Sequence, residues 1–295
     1  MTHHDFGGDW TTEKLERIRK YLSAYMKIFS TNKGAQYLIP IYIDAFAGTG
    51  YRTISHPHKE IELLLPELTE TDNEEFLKGS ARIALEIEPP FKQYIFIERD
   101  RRRANELENL KAEFSWMGSS IEIINEDANT YLRQWCEKMT DRMRSVLFLD
   151  PYGMQVEWSL IEIVAKTKKI DLWILFPMGI AVNRLLTKSG PPPEQWAQAL
   201  TRIFGTENWK DYFYPQRRVT TLFGEQEQQI KEAGYNKISE FFVMRLKTIF
   251  PAVAENPLPL LNSRNSPLYL LCFAAGNPKG ASTAVKIAQD ILGKN

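Results

Sequence analysis

The sequence predicts an α/β fold built on a doubly wound, mainly parallel sheet with a helical insertion. Three observations predict it. Short apolar runs alternate five times with segments of helical period. Those runs lack polar alternation, as expected of strands covered by helices on both faces. The first four of them end in an acid or a glycine turn, which is where open α/β sheets bind ligands.

The elements follow in order. From Trp10 to about Phe29, Leu15, Ile18, Leu22, Tyr25 and Met26 recur at helical spacing, with Thr11 or Thr12 as cap. The run Leu38 to Ile43 is a first strand, closed by Asp44-Ala45-Phe46-Ala47-Gly48-Thr49-Gly50. Residues 51–78 are polar and irregular and read as a loop insertion. Ala81 to Ile87 is helical until Pro89-Pro90 stops it. Tyr94–Glu98 is the second strand, Arg101–Phe114 a charged helix, and Ser120–Ile124 the third strand. Asn129–Met139 is helical, Val146–Leu149 is the fourth strand, and Leu160–Ala165 lies in the next helix. Ile170–Phe176 is the fifth strand. Residues 181–236 read as a helical insertion, with helices over Trp196–Phe204 and Glu225–Ala233. The sheet pattern then resumes with strands over Phe241–Ile249 and Leu268–Phe273, and Ala281–Leu292 closes the chain. The whole of 1–295 is therefore read as one domain, opened by a helix over 10–30.

Composition removes several classes of function. With 43% hydrophobic and 25% charged residues, the 295-residue chain can bury a large core, so disorder as the main state is excluded. The 37 basic and 37 acidic residues cancel, which argues against a non-specific nucleic-acid binder of the strongly basic kind but not against a local basic groove. Two cysteines, Cys136 and Cys272, supply neither a disulfide framework nor a four-cysteine zinc site, and both fall in apolar elements as packing residues. His56 and His58 lack metal-ligand company. No apolar run reaches membrane-spanning length and the first residues form no signal peptide, so a cytoplasmic location without membrane contact is expected.

The strand ends carry the chemistry. Asp44 with the Gly48-Thr49-Gly50 turn, Glu98, Glu126-Asp127, and Asp150-Pro151-Tyr152-Gly153 close four consecutive strands and would converge on one crevice. Each has a structural alternative, since acids at strand ends also cap the next helix. A glycine turn admits close approach of a ligand to the backbone, and an acid ending the second strand accepts hydrogen bonds from a ribose diol. Clustered carboxylates repel phosphate, so a nucleoside without phosphates fits better. Glu98 lies 48 residues beyond Gly50 rather than about 20, and the third glycine of the dinucleotide pattern is absent. A sulfonium-bearing nucleoside, S-adenosylmethionine, meets these demands.

The set Asp-x-Phe-Ala-Gly-x-Gly, the second-strand acid, Glu-Asp-Ala and Asp-Pro-Tyr-Gly resembles a Rossmann-like class I S-adenosylmethionine-dependent methyltransferase. More narrowly, the chain resembles the three-Cys-motif partner protein family (TcmP). The likeness is carried by Trp10-Thr11, Lys14-Leu15, Tyr21-Leu22, Tyr42–Gly50, Gly79-Ser80-Ala81, Phe96–Asp100, Phe148–Gly153, Tyr269–Ala274 and Asn277–Gly280. The resemblance implies a cofactor loop from Asp44, Phe46, Ala47, Gly48 and Gly50. It implies ribose contacts from Glu98 beside Arg99, and adenine contacts from Asp127 and Ala128. Asp150, Pro151 and Tyr152 would face the transferred methyl. It also implies a partner, a cysteine-motif protein of radical S-adenosylmethionine type. Asp150-Pro151-Tyr152-Gly153 has one proline where nucleic-acid amino-methyltransferases have two, which shifts the aromatic.

The expected activity is methyl transfer to a nitrogen or oxygen nucleophile, with nucleic acid as the leading substrate class. The alternatives are a non-catalytic partner subunit on the same fold and a nicotinamide-dependent oxidoreductase. Basic residues are candidates for phosphate contact in two places. The run Arg99, Arg101, Arg102 and Arg103 equally suits a solvated helix start paired with Glu106 and Glu108. Lys188, Lys210 and Arg217-Arg218 lie among Trp196, Trp209, Tyr212 and Tyr214 in the insertion, although such aromatics also serve as core.

Overall fold

The structure is a computed structural model that describes residues 9–47, 79–188, 190–221, 224–229 and 231–293. The expected loop insertion at 51–78, the Gly48-Thr49-Gly50 turn, His56 and His58 lie outside the described residues. Strands β1 (Ile39–Ala45), β2 (Gln93–Ile97), β3 (Ile121–Ile124), β4 (Met143–Leu149) and β5 (Ile170–Phe176) are all parallel. They lie in the order β3-β2-β1-β4-β5. The sheet continues through β10 (Pro267–Ala275), antiparallel to β5, to the short β8 (Ala252–Val253), while β9 (Leu258–Leu261) also pairs with β10. The fold is thus the expected α/β type with a mostly parallel central sheet. All seven residues of β5 are buried, as a strand covered on both faces requires.

Helix α1 (Asp9–Thr31) lies across this sheet. Its apolar stripe buries Trp10, Ile18, Tyr21, Leu22, Tyr25 and Met26. Tyr21 packs edge-on to Trp173 of β5 and against Phe273 of β10, and its hydroxyl donates to Asp171 Oδ2 at 2.9 Å near the amino end of β5. Seven residues earlier, Lys14 reaches Asp150 just past the carboxyl end of β4. Helix α1 therefore runs antiparallel to the central strands and brings its first turns to their carboxyl ends.

The remaining helices are a short one over residues 79–85 (α2), α3 (Arg101–Glu113), α4 (Ala128–Glu137), α5 (Trp158–Thr167), α6 (Glu194–Phe204), α7 (Trp209–Phe213), α8 (Tyr235–Lys247) and α9 (Ala281–Leu292). Two expectations are corrected. The segment Phe241–Ile249, read as a strand, lies in helix α8 as far as Lys247. There Ile238, Phe241, Phe242 and Leu246 are buried at helical spacing, and Phe242 stacks on Phe176 at 3.8 Å between ring centroids. The segment Glu225–Ala233, read as a helix, is mostly strand β7 (Gly224–Gln229), paired antiparallel with β6 (Gln216–Thr221) in a separate hairpin. Cross-strand pairing overrides local helix preference there. Cys136 and Cys272 are buried free thiols, as expected.

After β5 the chain turns through a π-helical segment, Met178–Val182, that passes close to the start of β10. A Cβ on Gly179 would sit 1.7 Å from the Pro267 carbonyl oxygen, and main chain cannot yield as a side-chain end can. Gly179→Ala should lower stability by about 1–3 kcal/mol, the usual cost of forcing atoms into a packed site. A urea unfolding midpoint equal to that of the parent would show that the two segments separate freely.

Candidate functional site

Parallel pairing aligns the carboxyl ends of β1, β2 and β4. Asp44 stands in register with Phe96 and with Phe148, so Asp44, Glu98 and Asp150 all come to one edge of the sheet. This edge faces the crevice between β1 and β4, where the strand order reverses. The main chain turns sharply as it leaves β1. Phe46 adopts φ +79°, uncommon for a residue with a side chain, and the amides of Phe46 and Ala47 both donate to the Ile97 carbonyl at 3.1 and 2.9 Å. Those bonds tie the start of the glycine segment to the end of β2.

The three acids are held differently. Asp150 is buried, and its Oδ2 accepts from Lys14 Nζ at 2.8 Å; the lysine side chain is itself fully buried. Lys14 Nζ also lies 5.7 Å from the Trp10 ring centroid and 5.5 Å from that of Phe148, so rings and a carboxylate surround the ammonium. Trp10 in turn stacks on Tyr269 of β10 at 5.7 Å. Asp44 is 1% exposed. The Tyr42 hydroxyl donates weakly to its Oδ2 at 3.3 Å, and its Oδ1 has no well-aligned hydrogen-bond partner among the described residues, although the Ser80 hydroxyl lies close enough to favour the charged carboxylate. Glu98 is buried and accepts from the Asp100 amide at 2.7 Å.

Burial dominates the ionisation of this cluster. It pushes Asp44 up to about 7, against the Ser80 hydroxyl, Tyr42 and Lys14, with Asp150 adding to the rise. It raises Asp150 as well, opposed by Lys14, and it brings Lys14 down to about 8 in spite of both carboxylates. Two acids and one lysine under one helix leave the cluster one negative charge in excess when all are ionised. A buried oxygen without a well-aligned hydrogen bond and an excess negative charge suit a ligand that brings a cation or a hydrogen-bond donor.

The structural alternatives divide cleanly. Asp100, not Glu98, caps α3, its Oδ1 accepting from the amides of Arg102 and Arg103. Helix capping therefore does not explain why Glu98 is an acid. Asp127 does cap α4, its Oδ1 accepting from the Thr130 amide and hydroxyl at 3.0 and 3.2 Å, with Ala128 buried next to it. Asn125 Nδ2 donates to the carbonyls of Glu98 and Arg99, both at 2.9 Å, and so clamps the ends of β2 and β3 together. The Arg99 side chain points to solvent.

Pro151 and Gly153 are buried over an apolar floor that includes Ile161, Phe176, Ile203 and Phe242, with only about 10 Å³ of void beneath them. Gly153 holds φ +66°, so Asp150-Pro151-Tyr152-Gly153 forms a tight, well-supported turn. Tyr152 is half-buried, its amide donating to Gln155 Oε1 at 2.8 Å and its ring 6.0 Å from the Arg103 guanidinium.

Lys14 is the residue that functional reasoning from the sequence passed over. A signal was present: Trp10, Lys14, Ile18, Tyr21, Leu22 and Tyr25 share one helical face, and a lysine in an apolar stripe needs a buried partner. Among the described residues no group of His, Cys, Asp and Glu is arranged to hold a metal ion, and no helix is long and apolar enough to cross a membrane.

No family model matches the chain, and no curated protein matches it. Among solved structures it is similar to a Legionella pneumophila protein of family DUF519, with 12% identity over 97% of this chain and 92% of that one, at a TM-score of 0.48. It is also similar to a conserved hypothetical protein of Streptococcus pyogenes, with 14% identity over 48% of this chain and 71% of that one, at a TM-score of 0.30. At this distance neither likeness bears on what this chain does.

Proposed function

We propose that the chain binds S-adenosylmethionine at the carboxyl ends of β1 to β4 and transfers its methyl to a nitrogen or oxygen nucleophile placed near Asp150. The observation that carries this reading is the buried cluster of Asp44, Asp150 and Lys14, one negative charge in excess when all three are ionised and with an Asp44 oxygen that lacks a well-aligned hydrogen bond. When bound, the cofactor supplies an electrophilic methyl on a positively charged sulfur. Asp44 offers its carboxylate to the cationic end, with Phe46, Ala47, Gly48 and Gly50 giving backbone approach. Glu98, beside Arg99, accepts from the ribose diol. Asp127, with Ala128, reads the adenine amino group through a carboxylate that also caps α4. Asp150, paired with Lys14, accepts a hydrogen bond from the incoming nucleophile, while Pro151 and Tyr152 shape the wall beside it. Positioning of this kind is the main help a protein gives to in-line displacement.

The sheet counts against the nicotinamide alternative, because reversed strand β10 stands next to β5 where the dinucleotide order 3-2-1-4-5-6 continues. The finer likeness, to the three-Cys-motif partner family, rests on the sequence motifs, and with it the cysteine-motif partner and a cytoplasmic setting. A non-catalytic partner subunit is the second reading, favoured by the burial of Asp150 against Lys14, which occupies one carboxylate oxygen. Calorimetry with S-adenosylmethionine followed by tritium transfer onto DNA, RNA and the cysteine-motif partner separates the two. Binding with transfer supports the enzyme, and binding without transfer to any of the three supports the subunit. Glu98→Ala should weaken cofactor binding by about 1–3 kcal/mol, the cost of leaving a diol unpaired. Unchanged affinity would remove Glu98 from the site.

A further inference from the structure

A second cleft lies at the same edge of the sheet, beyond β5. The chain leaving β5 passes through Met178–Val182 and a helical turn, Asn183–Leu185, and there, with the segment after β7, walls an open cleft of about 610 Å³. Arg184, Lys188 and Lys231 line it together with Asn183, Thr187 and Tyr235, and no acid lies among the described lining residues. Lys231 is fixed in place: its Nζ donates to the Leu186 carbonyl and, at 3.4 Å, to that of Asn183. These carbonyls hold it within repelling range of Lys188. Burial and Lys188 both push its pKa down.

We propose that this cleft binds a phosphorylated nucleotide, the phosphate set against Lys188 and Lys231 and the base against Tyr235. Lysines of like charge lining one cleft are relieved when an anion enters. The volume suits one nucleotide, and one aromatic beside a basic wall is the combination that holds a single nucleotide unit. The inference deepens the methyltransferase reading and rests on it for the nucleotide's role, which is to anchor a substrate whose reacting group reaches Asp150. The nucleotide is either free or one unit of a polynucleotide.

The test is fluorescence anisotropy with a labelled oligothymidylate and a labelled oligouridylate, and competition by AMP. Lys188 is exposed, so Lys188→Ala should fold normally; Lys231→Arg keeps the charge; Lys92→Ala, exposed at the opposite edge of the sheet, is the control. The expected result is a several-fold loss of oligonucleotide affinity in Lys188→Ala alone, with the slope of log affinity against log salt reduced by about 0.7. Displacement of the probe by AMP at comparable concentration assigns the cleft to a free nucleotide; resistance to AMP assigns it to a polynucleotide backbone. Absence of binding by all three probes, or binding that Lys188→Ala and Lys92→Ala affect equally, overturns the proposal. Calorimetry with S-adenosylmethionine on the same proteins keeps the two sites apart. Cofactor binding without nucleotide binding overturns this inference alone, and the converse overturns the cofactor reading and leaves the cleft standing.

Discussion

Lys14→Met is expected to cost about 3–5 kcal/mol of stability, the loss typical of stripping one partner from a buried ion pair. The lysine has no exposed surface, and its removal leaves Asp150 and Asp44 sharing a closed site with no cation. Methionine keeps most of the packing against Trp10 and Phe148, so the measured loss reports charge more than volume. Urea unfolding near neutral pH measures it. The double variant Lys14→Met/Asp150→Asn should recover much of the loss, because removing both charges of a buried pair is far less costly than removing one. A single-variant cost under about 1 kcal/mol, the range of exposed pairs, would mean that water reaches the pair and that the closed cluster is not as described.

That the partner of Lys14 had to be found in the structure shows where the sequence stops being legible. The parallel strands β1 to β5 were legible because each is an apolar run bounded by polar turns, and the chemistry of their ends follows from direction alone. Once β1, β2 and β4 are parallel neighbours, Asp44, Glu98 and Asp150 must share an edge. The reversed strand β10 was legible as a strand but not as antiparallel, since its burial pattern is the same in either direction. Helix α8 and hairpin β6–β7 were misread because their partners come only from the tertiary fold, Phe176 for Phe242 and Gln216–Thr221 for Gly224–Gln229. Capping shows the same limit. Nothing in Phe96–Asp100 tells which acid serves the helix, and only the amides of Arg102 and Arg103 turning to Asp100 separate Glu98 from that duty. The Lys14–Asp150 pair spans 136 residues, and no local pattern selects that partner.

Cofactor affinity should rise about tenfold per pH unit between pH ~5 and ~7 and then level off, a slope set by one linked proton. Asp44 is raised from 3.8 to about 7 by burial, so below 7 the free protein holds it protonated. A cation beside it favours the ionised form, and binding must expel that proton. Above 7 the carboxylate is already charged and no proton is released. Lys14, lowered to about 8, titrates above this window, as does an ordinary α-amino group at about 7.7–8.0, so neither confuses the slope. Calorimetry in two buffers of different ionisation enthalpy counts the released proton directly. Asp44→Asn should flatten the profile. S-adenosylhomocysteine resolves which cation Asp44 meets: it keeps the amino group and lacks the charge on sulfur. If its affinity follows the same rise, Asp44 faces the ammonium; if its profile is flat while that of S-adenosylmethionine rises, Asp44 faces the sulfonium. An affinity for both compounds that is level or falls across this window would mean that the buried carboxylate does not meet the cation, and the electrostatic argument for this cofactor would fail at its central residue.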